Sequence, residues 1–407
     1  MSQPAPHSVQ VEVGGRPLTI ETGKLAKQAN GAVLLKYGDT QLLVTACMDS
    51  RANDRDFLPL TVDYREYTYS AGKIPGGFFK REGRPSEREI LISRFIDRPL
   101  RPLFPEAWRN ETQIVGLVLS ADSENDPDVL AITGASAAAF ISDLPFTTPI
   151  AAVRVGLLEG QLVANPTTAE QKKSLLNIVV AGSEEAIVMI EAGALEVSED
   201  AIADALSFGH EQVKRIIAVV RQLHDQIRPN KVVVPPLPVN QELATKIKKT
   251  FGERLHDALD TAKYPKKESY KRVDAIKAEV LATIPEDDEE LQKEAKRAFE
   301  RLREEYFRDD VLQRRRRPDG RAFDQIRAIS CEVGLLPRVH GSALFTRGET
   351  QALATLTLGT KEDMQRLDLL FEEEAFKRFM PLWLRRERLT LTASTTSTGV
   401  TNASKRN

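Results

Sequence analysis

At 407 residues the chain is too long for one ordinary domain, so two or three are expected. Hydrophobic residues at 41% and charged residues at 29% give it the material for real cores and exclude a disordered chain. The net charge of −2 hides alternating basic and acidic runs, so only local patches can argue for or against a nucleic-acid partner. Cys47 and Cys331 offer neither metal-ligand spacing nor a disulfide framework, which predicts a reducing cytoplasm. The opening MSQPAPHSVQVEVGG lacks the basic and apolar regions of a signal peptide, and no apolar run nears the roughly 20 residues of a membrane helix.

In chain order, Val9, Val11 and Val13 alternate with polar residues, and Gly14-Gly15 turns the chain into Leu18–Ile20, predicting a hairpin. GAVLLKYGDTQLLVTAC, residues 31–47, sets two apolar runs around Gly38-Asp39, a second hairpin. Further strands are predicted at 57–62 and 113–120. Between them lies GKIPGGFFKREGRPSEREILISRFIDRPLRPLFP, residues 72–105. Pro75, Gly76 and Gly77 punctuate a loop that carries Phe78 and Phe79 beside Lys80 and Arg81. Aromatic faces for bases next to cations for phosphates are the ingredients of sequence-tolerant single-strand binding. The bland alternative makes the phenylalanines core and the arginines a solvated face. Ser86 and Glu89 form a capping box for a helix whose apolar face is Ile90, Leu91 and Phe95, and which should stop before Pro99. Pro99, Pro102 and Pro105 then predict an extended polyproline-like run, which would aim Arg98 and Arg101 the same way, about 9 Å apart.

Asp122, Glu124, Asp126 and Asp128 precede a small-residue helix, TGASAAAFI, running to about Ser142. Such acids can hold a divalent cation, but a solvated loop complementing a helix N-terminus is the preferred reading. Strands follow at Ala151–Val155, turning at Glu159-Gly160 into Leu162-Val163, then at 176–180 and 186–190. Ser198 caps a helix from Glu199 to about Ile227, buried along Ile202, Leu206, Val213, Ile217, Val220 and Leu223. His210 on it is given no role. Strands followed by a helix suggest an α+β layer.

Pro229, Pro235, Pro236 and Pro238 mark a linker and domain boundary. Three helices follow: Leu243, Ile247, Phe251, Leu255 and Leu259 stripe the first, and Val273, Ile276 and Val280 the second. The third starts near Pro285, with Glu286–Glu290 in its first turn and Leu291, Ala295, Phe299 and Leu302 on its stripe. The module is read as a spacer in preference to an RNA-contacting domain. Arg314–Arg317 at its end are either a solvated run or a steering patch. A P-loop at Gly72-Lys73 fails, because Tyr67 stands where a Gly is needed and Ile74 where a Ser or Thr is. Finally, GSALFTRGETQALAT, residues 341–355, echoes residues 31–45 at an offset of 310 (348 − 38), which predicts a duplicated domain.

These segments carry a resemblance. PGGFFKREGRPSEREILISRFIDRPLRPLFP is similar to the first core of the polynucleotide phosphorylase family, and CEVGLLPRVHGSALFTRGETQALATLTLGT extends the likeness into a second core. The family is one of phosphate-dependent 3′-to-5′ exoribonucleases, formally polyribonucleotide nucleotidyltransferases of the ribonuclease PH superfamily. The resemblance implies an α+β fold: a ribonuclease PH-like βαβα core, an all-α linker domain and the start of a second such core. It places a non-catalytic first core at 8–146, its second subdomain at 147–228, a Pro-rich linker at 229–240, a three-helix domain at 241–316, an incomplete second core at 317–380 and a non-family, disordered tail at 381–407. In the family the loop at Phe78, Phe79, Lys80 and Arg81 narrows the channel for single-stranded RNA, with Arg98 and Arg101 behind it. Asn125-Asp126-Pro127-Asp128 stands where the catalytic copy has a serine-rich phosphate loop, and should repel anions. The implied partners are single-stranded RNA, inorganic phosphate, two further copies in a homotrimer and other RNA-decay proteins, with no membrane. The implied cofactor is Mg²⁺, whose ligands lie in a part of the second core not recognisable here. No catalytic residue is therefore assigned. The expected activity is phosphorolysis of RNA to nucleoside diphosphates; the alternative is an inert RNA-binding or ring-assembling subunit.

Overall fold

The computed structural model describes residues 6–53, 57–75, 81–237, 240–285, 287–313 and 315–360, and the backbone at 365–367, 375–377 and 391–392. The chain forms two compact units, one holding Met1–Pro236 and the other Leu237–Gln365.

The first unit opens with the two expected hairpins. Strands β1 (His7–Val13) and β2 (Arg16–Thr22) turn at Gly14-Gly15, and β3 (Gly31–Tyr37) and β4 (Thr40–Ala52) at Gly38, whose φ of +60° suits glycine. With β5 (Leu60–Arg65) and β6 (Asn110–Ser120) they form a sheet of order β1-β2-β3-β4-β6-β5. All its pairs are antiparallel except β5 with β6, which a crossover containing helix α1 (Glu87–Leu100) makes parallel. Helix α2 (Asp128–Ile141) is buried at every residue. It touches β3 and β4 on one side and β7 (Ala151–Leu158) of a second sheet on the other. Small residues permit that approach: a Cβ on Gly134 would meet Val44 Cγ2 at 2.6 Å and Leu35 Cδ1 at 2.7 Å.

The second sheet adds β8 (Gln161–Ala164), β9 (Leu176–Gly182) and β10 (Ile187–Ala194) in the order β10-β9-β7-β8, with the short α3 (Thr168–Gln171) between β8 and β9 and the long α4 (Glu199–Ile227) after β10. Ser198 caps α4 by accepting from the Ala201 N–H, and Val213, Ile217, Val220 and Leu223 are buried as the spacing predicts. His210 Nε2 donates to the Ser183 carbonyl at 2.9 Å, a role within the packing. One continuous apolar core runs through both sheets.

Two expectations for α1 are corrected. Its buried side is Ile92, Ile96 and Leu100, while Ile90 and Leu91 are 51% and 55% exposed. The cause is Glu89, a buried polar residue whose carboxylate accepts from the backbone N–H groups of Glu66 and Ser86. Facing Glu89 inward rotates Ile90 and Leu91 out; counting apolar residues alone missed that. The helix also includes Pro99 and passes into a 3₁₀ turn at Arg101–Leu103, so the extended proline run does not form. One residue from the helix end, a proline sacrifices only a single bond.

In the second unit α5 (Gln241–Ala258), α6 (Lys266–Ala282) and α7 (Glu289–Leu312) enclose their own core of Leu243, Ile247, Phe251, Leu255, Val273, Ile276, Val280, Ala295, Phe299 and Leu302. Asp288 caps α7, so that helix starts four residues after Pro285, with Glu289 and Glu290 in its first turn. Strands β11 (Ile329–Val333), β12 (Gly341–Arg347) and β13 (Thr350–Leu358) then pair antiparallel. The β12–β13 hairpin repeats the β3–β4 register at a constant offset. Gly31↔Ala46 and Tyr37↔Thr40 reappear as Gly341↔Leu356 and Arg347↔Thr350, and Gly348 shares the φ of +60° at Gly38.

Candidate nucleic-acid interface

The loop expected to meet RNA leaves β5 at Arg65 and returns to α1 at Ser86, and its base is firmly built. Thr68 donates from its N–H and hydroxyl to Glu82, at 2.9 and 2.7 Å, which ties the outgoing leg to the returning one. Those bonds hold the Glu82 carboxyl below its ordinary range. A 3₁₀ turn at Thr68–Ala71 closes on Gly72 in the left-handed region, and the Ala121 N–H donates to the Ser70 carbonyl, fastening the turn to the end of β6. Arg65 Nε lies 3.1 Å from Glu89, and its guanidinium sits 5.1 Å over the Tyr67 ring.

Arg88 on α1 clamps the same base from beneath. Its Nε donates to both carboxylate oxygens of Glu66 at 3.0 Å and a terminal nitrogen to Asp126 at 2.6 Å. Burial opposes the charge of Arg88, but Asp126 and Glu66 outweigh it and raise its pKa. Burial pushes the Glu66 carboxyl up, against the pull of Arg88, and pushes the Tyr64 hydroxyl well up as it donates to Glu66 at 2.8 Å.

The acids at 122–128 are not the solvated loop that was expected, apart from exposed Glu124. Asp122 accepts from the N–H groups of Asp39 and Thr40 and so closes the β3–β4 turn. Burial alone would raise its pKa, yet bonds from Asn125 and from the N–H groups of Asp39 and Glu124 lower it. Asp128 is paired with Arg154, and both side chains are about nine-tenths buried. Burial and the neighbouring Asp126 raise the Asp128 pKa, against Arg154 and Arg88. These carboxylates are engaged internally, and among the described residues no group of three metal-ligating side chains is gathered.

Of the candidate contacts, Phe78, Phe79 and Lys80 lie outside the described residues, and Arg81 stands exposed on the returning leg. Arg98 is 66% exposed and 3.5 Å from Glu191 of β10. Arg101 turns inward, donating to the carbonyls of Leu58 and Leu60 at 3.0 Å and to Asp97 at 2.7 Å. The two arginines therefore reach different partners, because a helix end and not an extended run carries them. Residue counting passed over Arg84 and Arg94, both exposed and unpaired among the described residues, and the tyrosine pair at 67 and 69. Their signal was in the sequence: REYTYS leads straight into the loop. The basic run folds back on its own unit. Arg315 covers the Phe323 ring at 5.3 Å, Arg316 pairs with Asp260 at 2.7 Å and Arg317 donates to the Phe323 carbonyl; Arg314 lies outside the described residues.

The duplicated hairpin is what the comparison with known families decides on. One model, described as the 3′ exoribonuclease family, domain 1, matches twice, over residues 14–145 and 325–393, and domain 2 of that family matches residues 148–212. The chain belongs to the 3′ exoribonuclease family. Its mixed α and β fold is that of the family's ribonuclease PH domains, and residues 242–322 between the two copies match the RNA binding domain of polyribonucleotide nucleotidyltransferase. The second domain 1 match continues to residue 393, beyond Pro381, where composition alone suggests the likeness stops. Apart from the backbone of 391–392, residues 381–407 lie outside the described residues. Polyribonucleotide nucleotidyltransferases of Koribacter versatilis and Solibacter usitatus are 55% and 56% identical over 93% and 92% of this chain, covering 46% and 53% of their own lengths. That of Acidobacterium capsulatum is 53% identical over 91% of this chain. The chain thus spans about half the length of the curated relatives it matches. No helix among the described residues is long and apolar enough to cross a membrane.

Proposed function

We propose that this 3′ exoribonuclease family member binds single-stranded RNA and is the RNA-guiding part of a phosphorolytic exoribonuclease. Inorganic phosphate attacks the last phosphodiester, the bond to the preceding 3′ oxygen breaks, and a nucleoside diphosphate leaves. The observation that supports this best is the hairpin repeated in register on either side of a segment matching an RNA-binding domain. That match favours an RNA-contacting role for α5–α7 over the spacer reading. Phe78 and Phe79 stack on bases, while Lys80, Arg81 and Arg98 meet phosphates; Arg101 serves by bracing α1 against β5.

The reaction gathers two anions and places charge on a leaving oxygen, work suited to cations and to Mg²⁺. The acids of the first core do not fit that ion, because Asp122, Asp126 and Asp128 already hold backbone N–H groups or arginines. Assembly into a homotrimer, contact with other RNA-decay proteins and a cytoplasmic location belong to the same proposal. No observation favours the inert alternative.

Two measurements test it. The chain, given poly(A), phosphate and Mg²⁺, should release ADP, and anisotropy titration with labelled oligo(A) should show binding that weakens on replacing Phe78 and Phe79 by Ala. Unaltered affinity and salt dependence in that variant would refute the guiding role.

A further inference from the structure

The outgoing leg of the loop carries a stacked column. Arg65, Tyr67 and Tyr69 follow one another at alternate positions where β5 runs out into the 3₁₀ turn. The Arg65 guanidinium lies 5.1 Å over the Tyr67 ring, and Tyr67 stacks on Tyr69 with centroids 5.8 Å apart and planes 18° from parallel. The column ends at Tyr69, which is 56% exposed and whose hydroxyl has no partner among the described residues.

A single exposed tyrosine is unremarked surface; this one has Tyr67 stacked on one face and a backbone fixed by hydrogen bonds on either side. Arg65, at the inner end, is positioned by Glu89 and by the Gly83 carbonyl. The backbone under the rings is fixed by Ser70, which donates from its N–H and hydroxyl to the Tyr67 carbonyl, and by the Gly72 N–H, which donates to the Tyr69 carbonyl. Thr68, between the two rings, is bonded twice to Glu82. An aromatic face so fixed loses little freedom when a second flat group covers it.

We infer that Tyr69 is a binding residue: its outer face receives one nucleobase of single-stranded RNA by stacking, extending the Arg65–Tyr67–Tyr69 column by one member. The inference rests on the RNA-binding reading and deepens it. It assigns to this position a contact that is uncharged and indifferent to base identity except through stacking strength, so purines gain more than pyrimidines.

The test uses the full chain and 5′-labelled 12-mers of oligo(A) and oligo(U), titrated by anisotropy at several salt concentrations. Tyr69→Ala should weaken oligo(A) binding by about 5- to 150-fold, the range set by one base–aromatic stack, and oligo(U) by less. The slope of log affinity against log salt should not change, because no phosphate contact is lost. Tyr69→Phe should bind as the parent does, and Tyr69→Leu, which keeps apolar bulk without a π-face, should behave like Tyr69→Ala. Thermal unfolding of each variant is expected to match the parent, which separates a lost contact from a disturbed loop. If Tyr69→Ala binds oligo(A) like the parent while the Phe78 and Phe79 variant is weakened, this inference falls and the RNA-binding reading stands. If Tyr69→Leu retains full affinity, the contact is not stacking and the inference also falls. If the parent binds neither oligonucleotide, both fall together.

Discussion

Replacing Arg154 by Met should destabilise the first unit strongly, and by an amount that depends on pH. Arg154 is the counter-charge of Asp128, with side chains 11% and 9% exposed. Removing one partner of a buried pair costs about 3–5 kcal/mol, and methionine keeps the apolar stem, so about 3 kcal/mol is expected at pH 8. Protonation of Asp128 sets a ceiling. Each pH unit above the ordinary carboxyl value of 3.8 adds at most about 1.4 kcal/mol, giving a limit near 6 at pH 8 but under about 2 at pH 5. The sign follows: with its folded pKa raised, Asp128 binds its proton more tightly folded than unfolded, so stability is fully present below 3.8 and lost as pH rises. Urea unfolding of the chain carrying Trp383→Phe, followed by the fluorescence of buried Trp108, reads the first unit alone. The loss should shrink between pH 8 and pH 5, and Asp128→Asn combined with Arg154→Met should recover most of it at pH 8. An equal loss at both pH values, or one below about 1 kcal/mol at pH 8, would refute the reasoning.

Gly134→Ala gains helix propensity of about 1 kcal/mol but drives a methyl to within 2.6 Å of Val44, so a net loss of about 1–2 kcal/mol is expected in the same titration. A stabilised variant would show that α2 can slide away from β4. Lys231 donates to the Ala139 carbonyl at 3.0 Å, near the C-terminus of α2 and over the Phe140 ring, and burial lowers its pKa to about 8 against the pull of Asp143. The unfolded chain therefore binds more protons between about pH 8 and 10.5, and Lys231 makes stability rise with pH across that window. Lys231→Met should flatten the rise; identical pH profiles for the two proteins would contradict the assignment.

Much of the architecture was legible in the chain, for reasons particular residues show. The alternation of Val9, Val11 and Val13 and the glycines at 14, 15 and 38 led to the right hairpins, since period-two burial and left-handed turns leave marks that no tertiary contact overrides. The stripes of α4 to α7 held for the same reason. What failed were residues whose direction is set by a partner far along the chain. Glu89 faces inward because Glu66 offers it a donor, Asp128 because Arg154 meets it and Arg101 because two carbonyls lie open at Leu58 and Leu60. Polar residues buried by long-range pairing carry no periodicity. In the candidate site the Phe-Phe and Lys-Arg pairs stood out by composition, whereas Tyr69 became visible only through its stacking on Tyr67.

Helix α2 has no side facing water along any of its 14 residues. A segment with nothing to offer solvent cannot hold its shape until both flanking sheets are in place, so the two subdomains it joins must rise and melt as one cooperative block. A chain cut between residues 146 and 147 would carry this helix with half its covering stripped off, and such a fragment should precipitate when its companion piece is not present to refold with it.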